Sequence, residues 1–454
     1  MDHSAEARVA DFVHGARLGS FPPSAVRQAR RCFTDLLACS LAGIPSRAAQ
    51  VARAFAQRLS GLRECSLFGD GVRAPLPLAV FANTTACEAL DADDGYNVVK
   101  GHPGAFLFPA LLAFAERDGM SGEQAMETLV AGYEVGMRAG LLVHALYAPA
   151  YHGSGSWGGV GTAAVAARSL RLDPAQTVHA IAAAEYHGTI APIMRCVSYP
   201  GMTKDGIAWS AFSGVSGAIL AQAGFQSNPS LFALEEAAAL VDSLGIRFLI
   251  EELYFKPYCC CRWAHPAVRA ALDLAGRHRI EPAAIERITI ETFAEACALS
   301  RSAPRSSEEA QYSVAYPVAA ALLHGDVGPG QVLEGGYSDP RAIALLSRIQ
   351  FRVRHDLQAE FPTRRLAAVK IEAAGAQYTS GVVSAHGDPA DPLSDAEIEA
   401  KFRHYTRPFL RDGEADRLLG ELGRLETLPN LDTFIAVCRR TAPSEIAHPA
   451  RAAE

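Results

Sequence analysis

Arg287-Ile288-Thr289-Ile290-Glu291 alternates polar and apolar side chains, and the sequence before it does not. Alternation of this kind places one face of an extended strand on a core and the other in water. The same period returns at Ile349, Phe351 and Val353, and again at Val369 and Ile371. Segments 369–372 and 381–385, joined across Gly375 and Ser380, are expected to form a hairpin. Upstream of His265 the period is helical. Ser24 precedes a pattern that ends near Gly43, Ser121 and Gln124 have capping-box spacing ahead of Leu129, Val130, Tyr133 and Val135, and Asp205 opens a segment that ends near Gly224. Gly and Ala fill many helix positions, which suits helices that approach closely. Ser394 and Glu397 form another capping box, and helical pattern then runs to about Arg440. The expected fold is mostly α with a smaller α+β domain: residues 1–265 and 396–454 as one large, discontinuous all-helical domain and residues 266–395 as an α+β lid. The tail 444–454 is expected to fray.

With 454 residues, 49% hydrophobic and 20% charged, the chain has enough apolar material for a large core and the length of two or three domains. A net charge of −7 and the lack of any Lys/Arg run argue against nucleic acid or an anionic membrane as partner. Residues 1–17 mix charged and apolar positions without the uninterrupted apolar stretch of a secretory signal, and apolar segments such as 106–114 are too short to span a bilayer. The ten cysteines are scattered without a Cys-x-x-Cys pair, as in a cytoplasmic protein with reduced thiols.

Ionisable and aromatic polar residues collect at the ends of the apolar helices: Asp91, Asp93, Asp94, His102, His152, Lys204, His265 and Tyr316. Leu90-Asp91-Ala92-Asp93-Asp94 puts three carboxylates at a helix C-terminus, where they oppose the helix dipole, so a purely structural purpose is disfavoured. Against a role for His102 stands its place before Pro103, where a residue often just caps the next helix. His152, ahead of a Gly/Ser-rich stretch, could face an anion at a helix N-terminus or be an ordinary loop histidine. Lys204 sits unfavourably at a helix start; the bland explanation is an ion pair with Asp205 or another acid. Cys259-Cys260-Cys261 suggests an iron–sulfur ligand set, but adjacent cysteines cannot easily aim three thiolates at one centre, so no metal is expected. No P-loop or strand-led Gly-x-Gly-x-x-Gly occurs.

Taken in succession, Leu90-Asp91-Ala92-Asp93-Asp94 with Gly101-His102-Pro103-Gly104-Ala105, Arg195-Cys196 with Met202-Thr203-Lys204-Asp205-Gly206, and Lys256-Pro257-Tyr258 with Cys261-Arg262-Trp263-Ala264-His265-Pro266 resemble the MmgE/PrpD superfamily. The match in order and spacing runs from Val26 to Asp391-Pro392-Leu393-Ser394. The resemblance implies a large helical domain with an α+β lid, a homodimer, and chemistry without metal or organic cofactor. Known members include 2-methylcitrate dehydratase, cis-aconitate decarboxylase and iminodisuccinate epimerase. On the site of the decarboxylase it places Asp91, His102, His152, Lys204, His265 and Tyr316, with Gly95 where that site has Thr. Gly104 and Ala105 stand where the methylcitrate dehydratases tend to have Ser and Asp, which argues against that substrate.

The implied function is that of a cofactor-independent lyase, a dehydratase or decarboxylase, acting on a small di- or tricarboxylic acid by proton transfer at a carbon next to a carboxylate. Epimerisation of a dicarboxylic acid such as iminodisuccinate is the alternative, and non-catalytic carboxylate binding the more distant one. Lys204 and His265 are expected to hold carboxylates, His102 or His152 to exchange the proton, Asp91 to orient an imidazole, and Tyr316 to reach in from the lid as a second acid.

Overall fold

The computed structural model describes residues 4–59, 61–299 and 302–441. The expected tail 444–454 lies outside the described residues. The first half is a stack of helices, chiefly Pro23–Gly43, Leu76–Glu88, Pro103–Asp118, Gly122–Leu146, Gly158–Ser169, Pro174–Tyr186 and Ile207–Gln222. Ser121 and Gln124 close the expected capping box at the start of Gly122–Leu146, and Ser394 and Glu397 do the same for Asp395–Thr406. The small residues act as foreseen. A Cβ on Gly161 would lie 2.8 Å from the Gly132 carbonyl oxygen and one on Gly136 would lie 3.1 Å from Gly161 Cα, so these glycines set how closely Gly122–Leu146 and Gly158–Ser169 pack. Asp205 departs from expectation. Gly206, at φ 84°, precedes helix Ile207–Gln222, while the Asp205 carboxylate accepts from the Ser154 N–H and hydroxyl at 3.0 and 2.6 Å.

The second half carries a four-stranded sheet ordered Ile349–Val353, Ile285–Thr292, Leu366–Ala373, Ala376–Ser384, parallel in the first pair and antiparallel in the others. Helix His265–His278 packs on its last two strands. The expected hairpin exists with different bounds. Its turn is Ala374-Gly375, both at positive φ, and Ala376 already pairs with Ala373. Register slips between Ala368 and Lys370, where Gly381 adopts φ 76° and the Ser380 hydroxyl accepts the Val369 N–H. That bulge breaks the alternation, which is why residues 376–380 do not read as strand.

The chain then returns to the first half. Helix Asp395–Thr406 packs on Pro23–Gly43, and Phe434 of Asp432–Cys438 meets Phe33, which also lies edge-on to Phe108 with ring centroids 4.9 Å apart. Phe33, Phe108 and Phe434 are fully buried, each contributing about 1.5–3 kcal/mol by burial. No helix among the described residues is long and apolar enough to cross a membrane.

Candidate active site

A cavity of about 270 Å³ lies where the loops after Leu76–Glu88 meet the second half. Asp91 brings the loop after this helix to the cavity wall, and carbonyl oxygens of residues 88–92 take donors from elsewhere in the chain. Lys204 Nζ donates to Glu88 O at 2.5 Å, Gln311 Nε2 to Ala89 O at 2.9 Å, Lys256 Nζ to Asp91 O at 2.9 Å and Lys401 Nζ to Ala92 O at 2.6 Å. Three buried lysines from separate parts of the chain thus fix one loop, placing cations where the negative end of the helix dipole favours them. Lys256 also pairs with the Asp91 carboxylate at 2.9 Å, so one ammonium holds both the backbone and the side chain of a residue at φ 51°.

His102 faces this loop. It is the residue before helix Pro103–Asp118, yet its side chain makes no capping bond, contrary to the bland reading. Its Nδ1 lies 3.2 Å from Asp93 Oδ2 and its Nε2 3.5 Å from Asp91 Oδ1. Its N–H donates to Ser154 Oγ at 3.0 Å, and Asp205 holds Ser154 in turn. Burial and the Lys256 charge press the imidazole pKa down, but Asp93 and Asp91 outweigh them and it rises above the ordinary value. Burial likewise favours neutral Asp91 and Asp93, and the surrounding cations outweigh it, so both carboxyls fall below their usual range. Asp94 differs: burial lifts it to about 7, and it accepts from the Gly104 N–H and the Tyr133 hydroxyl. A Cβ on Gly104 would lie 2.5 Å from the Tyr133 hydroxyl, so this glycine answers to packing against Asp94 and Tyr133.

Of the six expected site residues, Asp91 and His102 line the cavity. The lining does not include the other four. Lys204, 8% exposed, is occupied by Glu88 O and Gln311 Oε1, with neither Asp205 nor another acid as its ion-pair partner among the described residues. His152 is buried one residue beyond the lining residue Tyr151, with Nε2 3.4 Å from Tyr147 O. His265 is buried with Nε2 3.0 Å from Cys260 O, and burial with the Arg262 charge depresses its pKa strongly. The Tyr316 hydroxyl donates to Gln331 O at 2.6 Å, within a small separate cluster with Ala310, Ala320 and Ala342. Tyr312 lines the cavity instead. The chain leaves helical geometry at Tyr312 and starts a new helix at Ala315, so these two tyrosines do not share a face.

Lys256, Tyr254, Arg262 and Arg365 also line the cavity without having been singled out individually beforehand. At Gly95 a Cβ would lie 2.2 Å from Tyr254 Cζ: the tyrosine ring fills the room a side chain there would need. The three adjacent cysteines diverge. Cys259 Sγ contacts the Tyr405 hydroxyl at 3.1 Å, Cys260 is fully buried and Cys261 lines the cavity. Among the described residues no group of three or more His, Cys, Asp or Glu is placed to hold a metal ion.

Helical stack, returning C-terminal helices and α+β unit define a two-part, mostly helical scaffold with a cavity lined in part by charged side chains. Residues 7–245 match the MmgE/PrpD N-terminal domain and residues 258–424 the MmgE/PrpD C-terminal domain; the chain belongs to the MmgE/PrpD family. Cis-aconitate decarboxylase from Homo sapiens is 24% identical over 465 residues, covering 96% of this chain and 95% of that protein.

Proposed function

We propose that the protein is a cofactor-independent lyase, a dehydratase or decarboxylase, acting on a small di- or tricarboxylic acid. The observation that carries this reading is His102, set between two carboxylates on the wall of a cavity that also presents Lys256. With the resting proton on Nδ1, 3.2 Å from Asp93 Oδ2, the Nε2 lone pair is left to take a proton from a carbon beside a substrate carboxylate, and Asp91 stabilises the imidazolium that results. The ammonium of Lys256 opposes the negative charge that grows on that carboxylate. In dehydration the C–H and C–O bonds break, a C=C bond forms, and the imidazolium returns its proton to the departing hydroxyl as water. In decarboxylation no C–H bond is broken: the C–C bond to the carboxylate breaks, CO2 leaves, its bonding electron pair stays on the carbon, and His102, already protonated from solvent, gives that carbon its proton. Family membership and the likeness to a decarboxylase support the same reaction class.

Compared with the sequence-based assignment, His102 keeps the proton transfer, Asp93 takes over from Asp91 the orienting of the imidazole while Asp91 supports its cationic form, and Lys256 replaces Lys204 and His265 beside the reacting carboxylate. The test is a panel of di- and tricarboxylic acids incubated with the protein in deuterated water, scored for loss of water, loss of CO2 and change of optical rotation. Loss of CO2 with solvent deuterium on the carbon that held the carboxylate, or loss of water with deuterium washed into recovered substrate, is expected. Inverted, deuterated substrate without either loss identifies an epimerase, and neither loss nor deuterium with any acid of the panel excludes the mechanism.

A further inference from the structure

The cavity lining also holds an arginine without an ion-pair partner among the described residues. Arg365, immediately before strand Leu366–Ala373, lines the cavity and is 6% exposed. Its Nε is buried without a hydrogen-bond partner, and its guanidinium has no ion-pair or hydrogen-bond partner among the described residues. A buried, unpaired guanidinium is costly, since removing a charge from water is repaid when an opposite charge meets it. The carboxylate that acts on it, Asp388, is committed to Arg262 at 2.8 Å, and of the acids on the lining Asp205 accepts from Ser154 and Glu295 from Gln358, with no ion pair to Arg365. Lys100, also on the lining, adds a second cation. Its Nζ donates to Asn97 O at 2.7 Å, Asn97 Oδ1 at 3.2 Å and Pro362 O at 3.0 Å, so its donors are taken and it supplies charge rather than a direct contact. It also ties a loop of the first half to the segment that leads into Arg365.

We propose that Arg365 is the residue that binds the second carboxylate of the substrate, with Lys100 reinforcing its field, so that the cavity selects acids bearing at least two carboxylates. This rests on the proposed reading of the site and deepens it. The reacting carboxylate lies by Lys256 and His102, and the remote one closes the planar fork of Arg365, which matches a carboxylate with two parallel N–H donors. At rest, burial and the Arg365 charge lower the Lys100 pKa to about 7; an arriving carboxylate reverses that pressure.

The test is calorimetric binding of unreactive probes: succinate and tricarballylate as polyacids, butyrate as monoacid, to wild type and to Arg365→Gln, Arg365→Lys and His102→Gln. Wild type is expected to prefer the polyacids, and Arg365→Gln to lose about 100-fold of that affinity while leaving butyrate unchanged, the scale of one charge-assisted bidentate contact. Arg365→Lys, which keeps the charge but not the fork, falls between, and His102→Gln, beside the reacting carboxylate, weakens polyacids and butyrate alike. Because the resting guanidinium is unpaired, ligand-free Arg365→Gln should melt no lower than wild type. Polyacid affinity unchanged in both Arg365→Gln and Arg365→Lys, equal loss for butyrate, or a wild type that binds neither polyacid overturns the proposal. Polyacid binding that depends on Arg365, in a protein that turns over no acid in deuterated water, leaves the subsite standing and removes the lyase reading.

Discussion

Two buried lysine–aspartate pairs hold the same loop. Lys401 pairs with Asp35 at 2.5 Å and donates to Ala92 O; Lys256 pairs with Asp91 at 2.9 Å and donates to Asp91 O. Both lysines are held above their ordinary pKa: burial works against each ammonium, and the adjacent carboxylate outweighs it. What separates them is the state of the aspartate, and access: burial keeps Asp35 above the ordinary carboxyl range despite Lys401, whereas at Asp91 burial is outweighed by the surrounding cations, which bring it below. Asp91 and Lys256 form part of the cavity wall, with His102 alongside; Asp35 and Lys401 do not, and join helix Pro23–Gly43 to the returning helix Asp395–Thr406. The same pair of side chains is a clamp where nothing can reach it and a candidate for chemistry where a ligand can.

That contrast can be broken in several ways. Lys401→Met strands the Asp35 carboxylate in the core, and should cost about 3–5 kcal/mol in chemical denaturation while the molecules that remain folded turn over normally. Lys256→Met should do the reverse, lowering kcat/KM by roughly 100-fold or more with a smaller loss of stability, because the Asp91 carboxylate keeps His102 and the cavity. If both variants lose stability alike with activity intact, the contrast fails.

Titration sharpens it. The raised pKa of His102 means that its imidazolium contributes stability below the ordinary imidazole value, and that this contribution is lost as pH rises through the folded value. Deuterium exchange, which needs the neutral ring, should therefore have its acid limb above about 6.5, and Asp93→Asn should move that limb down. A limb that does not move removes Asp93 from its orienting role. Lys100, depressed to about 7, is protonated below that pH, so succinate affinity should weaken as pH rises through it, and Lys100→Met should flatten the dependence. The smallest effect expected is none: exhaustive chelation should leave exchange unchanged, and activity lost to a chelator and restored by a metal would contradict the proposed chemistry.

Much of this was legible because it is local. Capping boxes at Ser121 and Ser394, the alternation at Ile288 and Ile290, and the change of period after His265 act over a few residues, and the mostly helical fold with its smaller α+β part follows from them. The hairpin bounds were missed because a bulge at Gly381 interrupts alternation that pairing nonetheless continues. At the site, Asp91 and His102 stand out in their motifs. Asp93 was visible beside them, but which carboxylate meets which ring nitrogen depends on the left-handed turn at Asp91. Lys204 and Lys256 look alike as isolated lysines, and the difference between filling a helix end and facing a cavity exists after folding alone. Arg365 is one of two adjacent arginines. Arg364 is exposed and 3.5 Å from Glu360, whereas Arg365 is buried and unpaired, and no spacing rule tells them apart.

The most direct test of the central contrast is deuterium wash-in measured side by side for Asp91→Asn and Asp35→Asn, per folded molecule, on whichever polycarboxylic acid the wild type exchanges. The account predicts that Asp91→Asn loses about 100-fold or more of the exchange rate with its fold retained, while Asp35→Asn exchanges at the wild-type rate but unfolds at lower denaturant. Full exchange in a folded Asp91→Asn protein would make the cavity pair structural and contradict it.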